Sequence, residues 1–341
     1  MSDEYQHQEV EEQEQQINVQ DIKDSIYGIV DKEHIDVELI RDLIQKIQQL
    51  EINDAIDSIK HENYHIIRLM CREAGRSIDT QLVTEIVQFI NGVSNEIKEI
   101  INIIIEEQGF KWIIPNLFMV DERTTALYYL DLINFILTQD EYSDSNSFQN
   151  EFNRLDSIFL ESLIDLALVY NGYYDTAPLY KCFYTMFGYQ KNTICDNYSP
   201  LVRKLYSIQK APEFGPELIA LLNRDIEYKL LPQCLSLIND LFSFSQEFNI
   251  GCFFYTLDIK VIIDIIIREI HNLDEMDPAR WQYLEVLSNI IDHSEYQKLE
   301  YKVQDIRSVV SDLLDERSTE KDPISGTLAQ TILNKLQNFS L

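Results

Sequence analysis

The sequence predicts an all-α protein built of helices on short links. Three observations carry that prediction. The chain holds only 9 Gly and 8 Pro in 341 residues, well under the ~12% usual for these two turn residues, and both sheet-rich folds and phosphate-cradling loops consume Gly. Apolar residues recur at three- and four-residue spacing from about residue 21 to near Leu336, which is the period of a helix face. Six of the eight prolines stand where a helix should begin. The apolar fraction of 45%, with 19 Tyr and 16 Phe, supports a sizeable core and excludes disorder for most of the chain.

Taken in order, residues 1–20 hold six acidic residues, no Lys or Arg, and many Gln. They read as a disordered acidic tail. An N-terminal helical region follows over 21–138. Ile22, Ile26 and Ile29 begin it, and Leu39, Ile40, Leu43, Ile44 and Ile47 form a second stripe. The polar stretch Gln139–Asn150 is the expected boundary to a second helical region, 139–341, which either stands apart from 21–138 or continues it as one domain. Tyr189–Ser199 and Asp315–Gly326 are the other long polar links. Ser199-Pro200, Asp277-Pro278 and Asp322-Pro323 each place a capping oxygen before a proline. The cap satisfies a free N–H, and proline at the first helical position loses no hydrogen bond. Pro178, Pro216 and Pro232 also precede apolar-periodic runs. The pattern fits a helix bundle or an α-solenoid. No fixed-period repeat is legible, which counts against tetratricopeptide and ankyrin arrays and leaves the more degenerate armadillo and HEAT types.

Charge narrows the partners. With 58 acidic and 28 basic side chains the formal net charge is −30, which argues against a nucleic-acid binder and against docking on an anionic membrane. No apolar run reaches the ~18 residues of a membrane span; Asn102 and Asp264 interrupt the longest stretches, Ile100–Ile105 and Val261–Ile267. Cysteines at 71, 182, 195, 234 and 252 form an odd set without CxxC spacing and with no signal peptide ahead of them. They read as reduced thiols of a cytoplasmic protein.

Catalytic signatures are scarce. GxxxxGK[ST], GxGxxG and GxSxG do not occur. Asp144–Phe148 starts like an EF-hand loop but has Phe and Gln where positions five and six need a ligand and a glycine. His61-Glu62-Asn63-Tyr64-His65 is an HExxH. On a helix its two histidines face the same way and suit zinc, with Glu62 to activate a bound water, which makes a zinc metallohydrolase one alternative. Against it, Arg68 and Cys71 stand where the extended motif has Gly and His, and no strand pattern lies upstream. The expectation is two ordinary histidines, no metal, no cofactor and no enzyme. The pairs Glu106-Glu107 and Asp121-Glu122 are expected on solvated faces. Trp112 and Trp281 are expected in the core.

The segment Cys252–His271, CFFYTLDIKVIIDIIIREIH, carries more information. On a wheel of about 100° per residue, Lys260, Asp264, Arg268 and His271 share a narrow sector. Val261, Ile262, Ile263, Ile265, Ile266 and Ile267 cover the remainder. A surface helix shows a wider polar face, so this one is expected to be packed on most sides. Its charged stripe is either a ladder of i,i+4 ion pairs, Lys260–Asp264 and Asp264–Arg268, or the floor of a groove for a partner. Upstream, Phe214–Arg224 reads as a capped helix ending Leu-Asn-Arg. Asn223 there suits either a partner's backbone or a C-cap.

The run FGPELIALLNR, then LINDLF at 237–242, then FFYTLDIKVIIDIIIREI, followed by Arg280, Tyr283-Leu284 and Tyr296…Tyr301-Lys302, resembles the leucine-rich, armadillo-type domain of the WISH/DIP/SPIN family. The resemblance is best over about 210–310 and weaker from about 105. Leu257 and Pro216 depart from the family pattern, and neither an SH3 domain nor a proline-rich segment is present. It implies an armadillo/HEAT-like α-solenoid with an N-terminal helical extension, of the short, domain-only kind. It also implies a protein that binds and activates the actin-related protein 2/3 complex without a preformed filament. The grip is chiefly on the long helix of that complex's fourth small subunit. The product is a linear, unbranched filament that seeds branched networks at cortical, endocytic actin patches, so actin itself is engaged indirectly. Asn223, Arg224, Asp258, Lys260 and Arg268 are the candidate partner contacts. A generic helical scaffold in the actin and endocytosis pathway is the alternative.

Overall fold

Where the sequence marks a cap followed by a proline, a helix starts. Ser199 Oγ accepts from Val202 N at 3.4 Å. Asp277 accepts from Ala279 N at 2.8 Å and Asp322 from Ser325 N at 3.1 Å. Pro200, Pro278 and Pro323 open their helices, where the missing N–H has no intrahelical partner to lose. Pro178, Pro216 and Pro232 stand second in theirs.

The computed structural model describes residues 36–120, 122–139, 145–170, 177–193, 198–223, 230–274, 277–314, 322–337 and 339, with Ile22, Asp24, Ser25 and Gly28. The acidic tail expected over 1–20, with Ile26 and Ile29, lies outside them. Among the described residues every element is helical, so the fold is all-α. None of these helices is long and apolar enough to cross a membrane. Cys71, Cys182, Cys234 and Cys252 are free thiols, while Cys195 lies outside the described residues. The chain divides into two compact units, Met1–Phe159 and Leu160–Leu341.

The first unit contains α1 (Val37–Gln48), α2 (Ile52–Ala74), α3 (Thr80–Ser94), α4 (Ile100–Glu106), α5 (Phe110–Met119), α6 (Arg123–Leu137) and α7 (Asn146–Phe152). Helix α3 is its axis, packing against α1, α2, α4, α5 and α6. Its Leu82, Val83, Ile86, Val87, Phe89 and Ile90 are all buried, and Thr84 Oγ1 meets the buried Tyr129 hydroxyl of α6 at 3.0 Å. Helix α7 packs on α4 and α5. From it the buried Glu151 accepts from Phe110 N at 3.1 Å, capping α5 with a charge of the sign its N-terminus favours. The unit therefore extends past the polar stretch 139–150 to Phe159, because α7 is held by these contacts. Gly109 lets the chain pass close to Ile104 just before α5, since a Cβ there would clash with Ile104 Cγ2 and force a shift.

Two expectations for this unit are corrected. Helix α2 is not continuous through the HExxH: His61, Glu62, Asn63 and Tyr64 leave helical geometry, the last three with φ of 48°, 58° and 61°. The one-face argument for His61 and His65 needs an unbroken spiral, so it does not apply here. Glu107 is not a solvated carboxylate. Its side chain is 13% exposed; it accepts from Arg72 Nε at 2.9 Å and Arg72 Nη2 at 2.8 Å, with Arg68 Nη1 at 3.4 Å. Trp112 is buried as expected and Trp281 is half-buried.

After α8 (Ser157–Tyr170), which carries the chain across the division, come α9 (Ala177–Asn192), α10 (Pro200–Ser207), a 3-10 turn at Ala211–Phe214, and α11 (Gly215–Asn223). Then follow α12 (Leu231–Glu247), α13 (Thr256–Asn272), α14 (Pro278–Asp292), α15 (Ser294–Leu299), α16 (Val303–Asp312) and α17 (Pro323–Leu336). Helices α11, α13 and α16 form one row, each touching the next, and α12, α14 and α17 form a second. Partners across the rows pack as α11 on α12, α13 on α14 and α16 on α17. A ladder of near-sequence contacts of this kind is the packing of an α-solenoid. Arginines close two helix ends: Arg280, 6% exposed, donates to Leu273 O, and Arg307 Nη2 donates to Leu336 O at 2.6 Å. Cations at helix C-termini satisfy carbonyls and suit the local dipole.

Candidate partner-binding face

Helix α13 is backed by α14 and flanked by α11 and α16. Ile259, Ile262, Ile263, Ile265, Ile266 and Ile270 are buried in those three directions. The fourth side is open and carries Leu257, 72% exposed, and Val261, 44% exposed, with Lys260, Asp264 and Arg268 beside them. The narrow outward sector is as expected, with one correction: Val261 belongs to it rather than to the core. The two exposed aliphatic side chains are thus flanked by both signs of charge.

The charges on this face are not the expected i,i+4 ladder. Lys302 Nζ lies 2.8 Å from Asp264 Oδ1 as an ion pair, and Tyr301 Oη donates to Asp264 Oδ2 at 3.3 Å. Arg268 turns the other way. Its Nη1 donates to Asn223 Oδ1 at 2.8 Å and its Nε to Glu269 Oε1 at 2.7 Å. Asp264 thus ties α13 to the turn before α16, and Arg268 ties it to the end of α11. Hydrogen bonding to Asp264 raises the Lys302 pKa. That places Lys302 firmly in its charged form.

The Tyr301 ring lies between two ammonium groups, Lys260 Nζ at 5.5 Å and Lys302 Nζ at 5.7 Å from its centroid. The ring's quadrupole attracts such cations. Glu300 and Lys302 on either side of Tyr301 have φ of 47° and 51°, a conformation disfavoured for side-chain-bearing residues. The buried Tyr296 hydroxyl donates to Tyr301 O at 3.0 Å and holds that turn.

Of the candidate contacts, Asn223, Lys260 and Arg268 line this face, and Asn223 and Arg268 are bonded directly. Arg224 lies outside the described residues. Asp258 has a positioning role: its Oδ2 accepts from Tyr255 N at 3.0 Å to start α13, and a Cβ on Gly215 would come within 3.1 Å of that same oxygen. The approach of α11 to the start of α13 is therefore tight at Gly215. Sequence reasoning did not assign Tyr301 or Lys302 a contact role. Their turn has neither Gly nor Asn to announce its left-handed geometry.

Residues 156–306, which include this face, match the sequence profile described as SPIN90/Ldb17, leucine-rich domain. The match covers 151 of the chain's 341 residues. The matched region starts between about 105, where the resemblance begins weakly, and about 210, where it is best. Protein dip1 of Schizosaccharomyces pombe is 33% identical over 107 residues, covering 31% of this chain. The matched part spans 28% of the length of that relative. Two solved structures are distantly similar. One is an engineered protein at 14% identity and a TM-score of 0.39, with 78% of this chain and 96% of that chain covered. The other is the karyopherin Kap121p bound to the SUMO protease Ulp1p, at 15% identity and a TM-score of 0.35, with 89% and 33% covered. At those scores the fold rests on the helix packing described above.

Proposed function

We propose that this protein binds the actin-related protein 2/3 complex and activates it without a preformed filament, nucleating linear filaments that seed branched networks at cortical, endocytic actin patches. The observation that carries the reading is the open side of α13 inside the leucine-rich domain. Leu257 and Val261 offer apolar anchors, and Lys260, Arg268 and Asn223 offer polar contacts around them. A partner helix with an apolar stripe flanked by charges fits such a surface, and the long helix of the complex's fourth small subunit is the expected occupant. Activation of this kind needs no covalent chemistry and no cofactor from the activator. The activator has to bind the active arrangement of the complex more tightly than the inactive one, which shifts the population.

The test is assembly of pyrene-labelled actin with purified complex and no branching activator. The full chain is expected to shorten the lag, with unbranched filaments under the microscope. Assembly no faster than with complex alone would sink the proposal. If the complex co-purifies with the chain but is not switched on, the protein is a scaffold rather than an activator.

A further inference from the structure

The cations of the α13 face differ in what they are bonded to. Lys302 is matched by Asp264 at 2.8 Å, and Arg268 by Glu269 at 2.7 Å. Asp258 stands at the α11 edge, where its Oδ2 accepts from Tyr255 N and abuts Gly215. Lys260 has no carboxylate in ion-pair contact among the described residues. It is half-buried, with its Nζ over the Tyr301 ring, 5.5 Å from the centroid. That contact is attractive but brings no neutralising charge. The face therefore keeps an uncompensated positive charge on its α16 side, in a molecule whose net charge is −30. The surroundings fix where that charge stands. The buried Tyr296 hydroxyl donates to Tyr301 O at 3.0 Å, and the Tyr301 hydroxyl donates to Asp264 Oδ2 at 3.3 Å. Tyr301 is thus tied through both its backbone and its side chain. Beside Lys260, Leu257 and Val261 stand exposed one helical turn apart. A partner that covered this ammonium with apolar groups would bury an unpaired charge. An ammonium next to two aliphatic side chains therefore fits a carboxylate next to an apolar stripe.

We propose that Lys260 sets the specificity of this face: it takes an aspartate or glutamate that stands beside the apolar stripe of the docked helix, on the side toward α16. Tyr301 is a positioning residue that holds the ammonium there. The inference rests on the proposed function and adds to it the charge that the occupant presents and the edge on which it presents it. Lys302 and Arg268 are already matched by acids of this chain, so the selective contact falls to Lys260.

Equilibrium binding of the full chain to purified actin-related protein 2/3 complex, read by biolayer interferometry, tests this. Lys260→Gln is expected to weaken binding by about five-fold or more, the scale of a charge-assisted contact in a partly desolvated site, and Lys260→Arg by less. Tyr301→Leu should weaken it too, and Tyr301→Phe should recover most of that loss, because a ring still underlies the ammonium. Complexes carrying single Asp→Lys or Glu→Lys changes along the long helix of the fourth small subunit identify the acid. One of them should bind Lys260→Glu about five-fold more tightly than the unaltered complex does, the signature of a direct pair. Thermal unfolding of each variant verifies its fold. If the unaltered chain binds and Lys260→Gln binds equally well, or if every charge swap fails to rescue Lys260→Glu, this inference is overturned and the proposed function stands. If the unaltered chain does not bind the complex, both are overturned.

Discussion

Asp240 carries its charge at a cost to the fold. Its folded-state pKa of about 6 lies above the ordinary 3.8, so the unfolded chain loses this proton first. Stability from this group falls as pH rises from about 4 to 6 and stays low above. Asp240→Asn keeps the acceptor for Gln190 and removes the charge. It should raise stability by roughly 1–3 kcal/mol at pH 7.5, measured as a higher denaturation midpoint, with little gain at pH 4. Glu151 is the opposite case. It is buried, yet it accepts from Phe110 N at 3.1 Å and from Arg154 Nε at 2.7 Å, so its charge is satisfied. Glu151→Ala should cost about 2–4 kcal/mol by orphaning the α5 N-terminus and leaving a cavity, read from chemical denaturation. Neither environment is legible in the sequence, where both are single acids among 58. Contacts 40 or more residues apart make the difference.

At the scale of elements, helix starts were the most legible part of the chain, because caps and prolines act within one turn. Asp277→Ala should lower stability by about 1 kcal/mol, checked by urea titration. A less visible cap sits between α14 and α15. His293, 3% exposed, accepts from Glu295 N at its Nδ1 and meets Ser245 Oγ with its Nε2 at 3.0 Å. Ser245 Oγ also bonds Phe242 O at 2.9 Å. The Nδ1 acceptor role requires the neutral ring, with the proton on Nε2. Burial, aided by the nearby Lys298 and opposed by Glu295, lowers the His293 pKa below 6.5. The unfolded chain therefore binds this proton more readily. The stability His293 contributes is complete above pH 6.5 and is lost as pH falls below it. His293→Gln should flatten the fall in melting temperature below pH 6.5. An unchanged slope would show that other groups set it. The break in α2 was illegible for the reverse reason. His61–Tyr64 contains no Gly or Pro, and Asn63, which tolerates left-handed geometry, does not by itself announce three such residues in succession.

Across the whole molecule, the charge of −30 sets long-range behaviour while the α13 face sets local contacts. Under the proposed function, association with a basic-faced partner helix should slow as salt is raised, because the steering field is screened beyond about 10 Å at 0.1 M. Stopped-flow binding from 50 to 300 mM salt measures that. Lys260→Glu with Arg268→Glu should weaken binding of the complex by ten-fold or more, on the order of 1.4 kcal/mol, with helical circular dichroism unchanged. Unchanged affinity would mean that the stripe serves only to hold α13 against its neighbours.

The sequence by itself determined the all-α class, the helix starts, the leucine-rich domain resemblance and, apart from Val261, the buried and open sides of α13. These depend on periodicity, capping and turn chemistry, whose range is a few residues. Only the tertiary structure decided who pairs with whom. Asp264 could reach Lys260 or Arg268 four residues away, yet it binds Lys302 and Tyr301. Arg268 instead reaches Asn223, 45 residues back. The physical reason is that α13 lies between α11 and α16. Neighbours across a packed row compete with exposed i,i+4 pairs worth only about 0.3–0.5 kcal/mol.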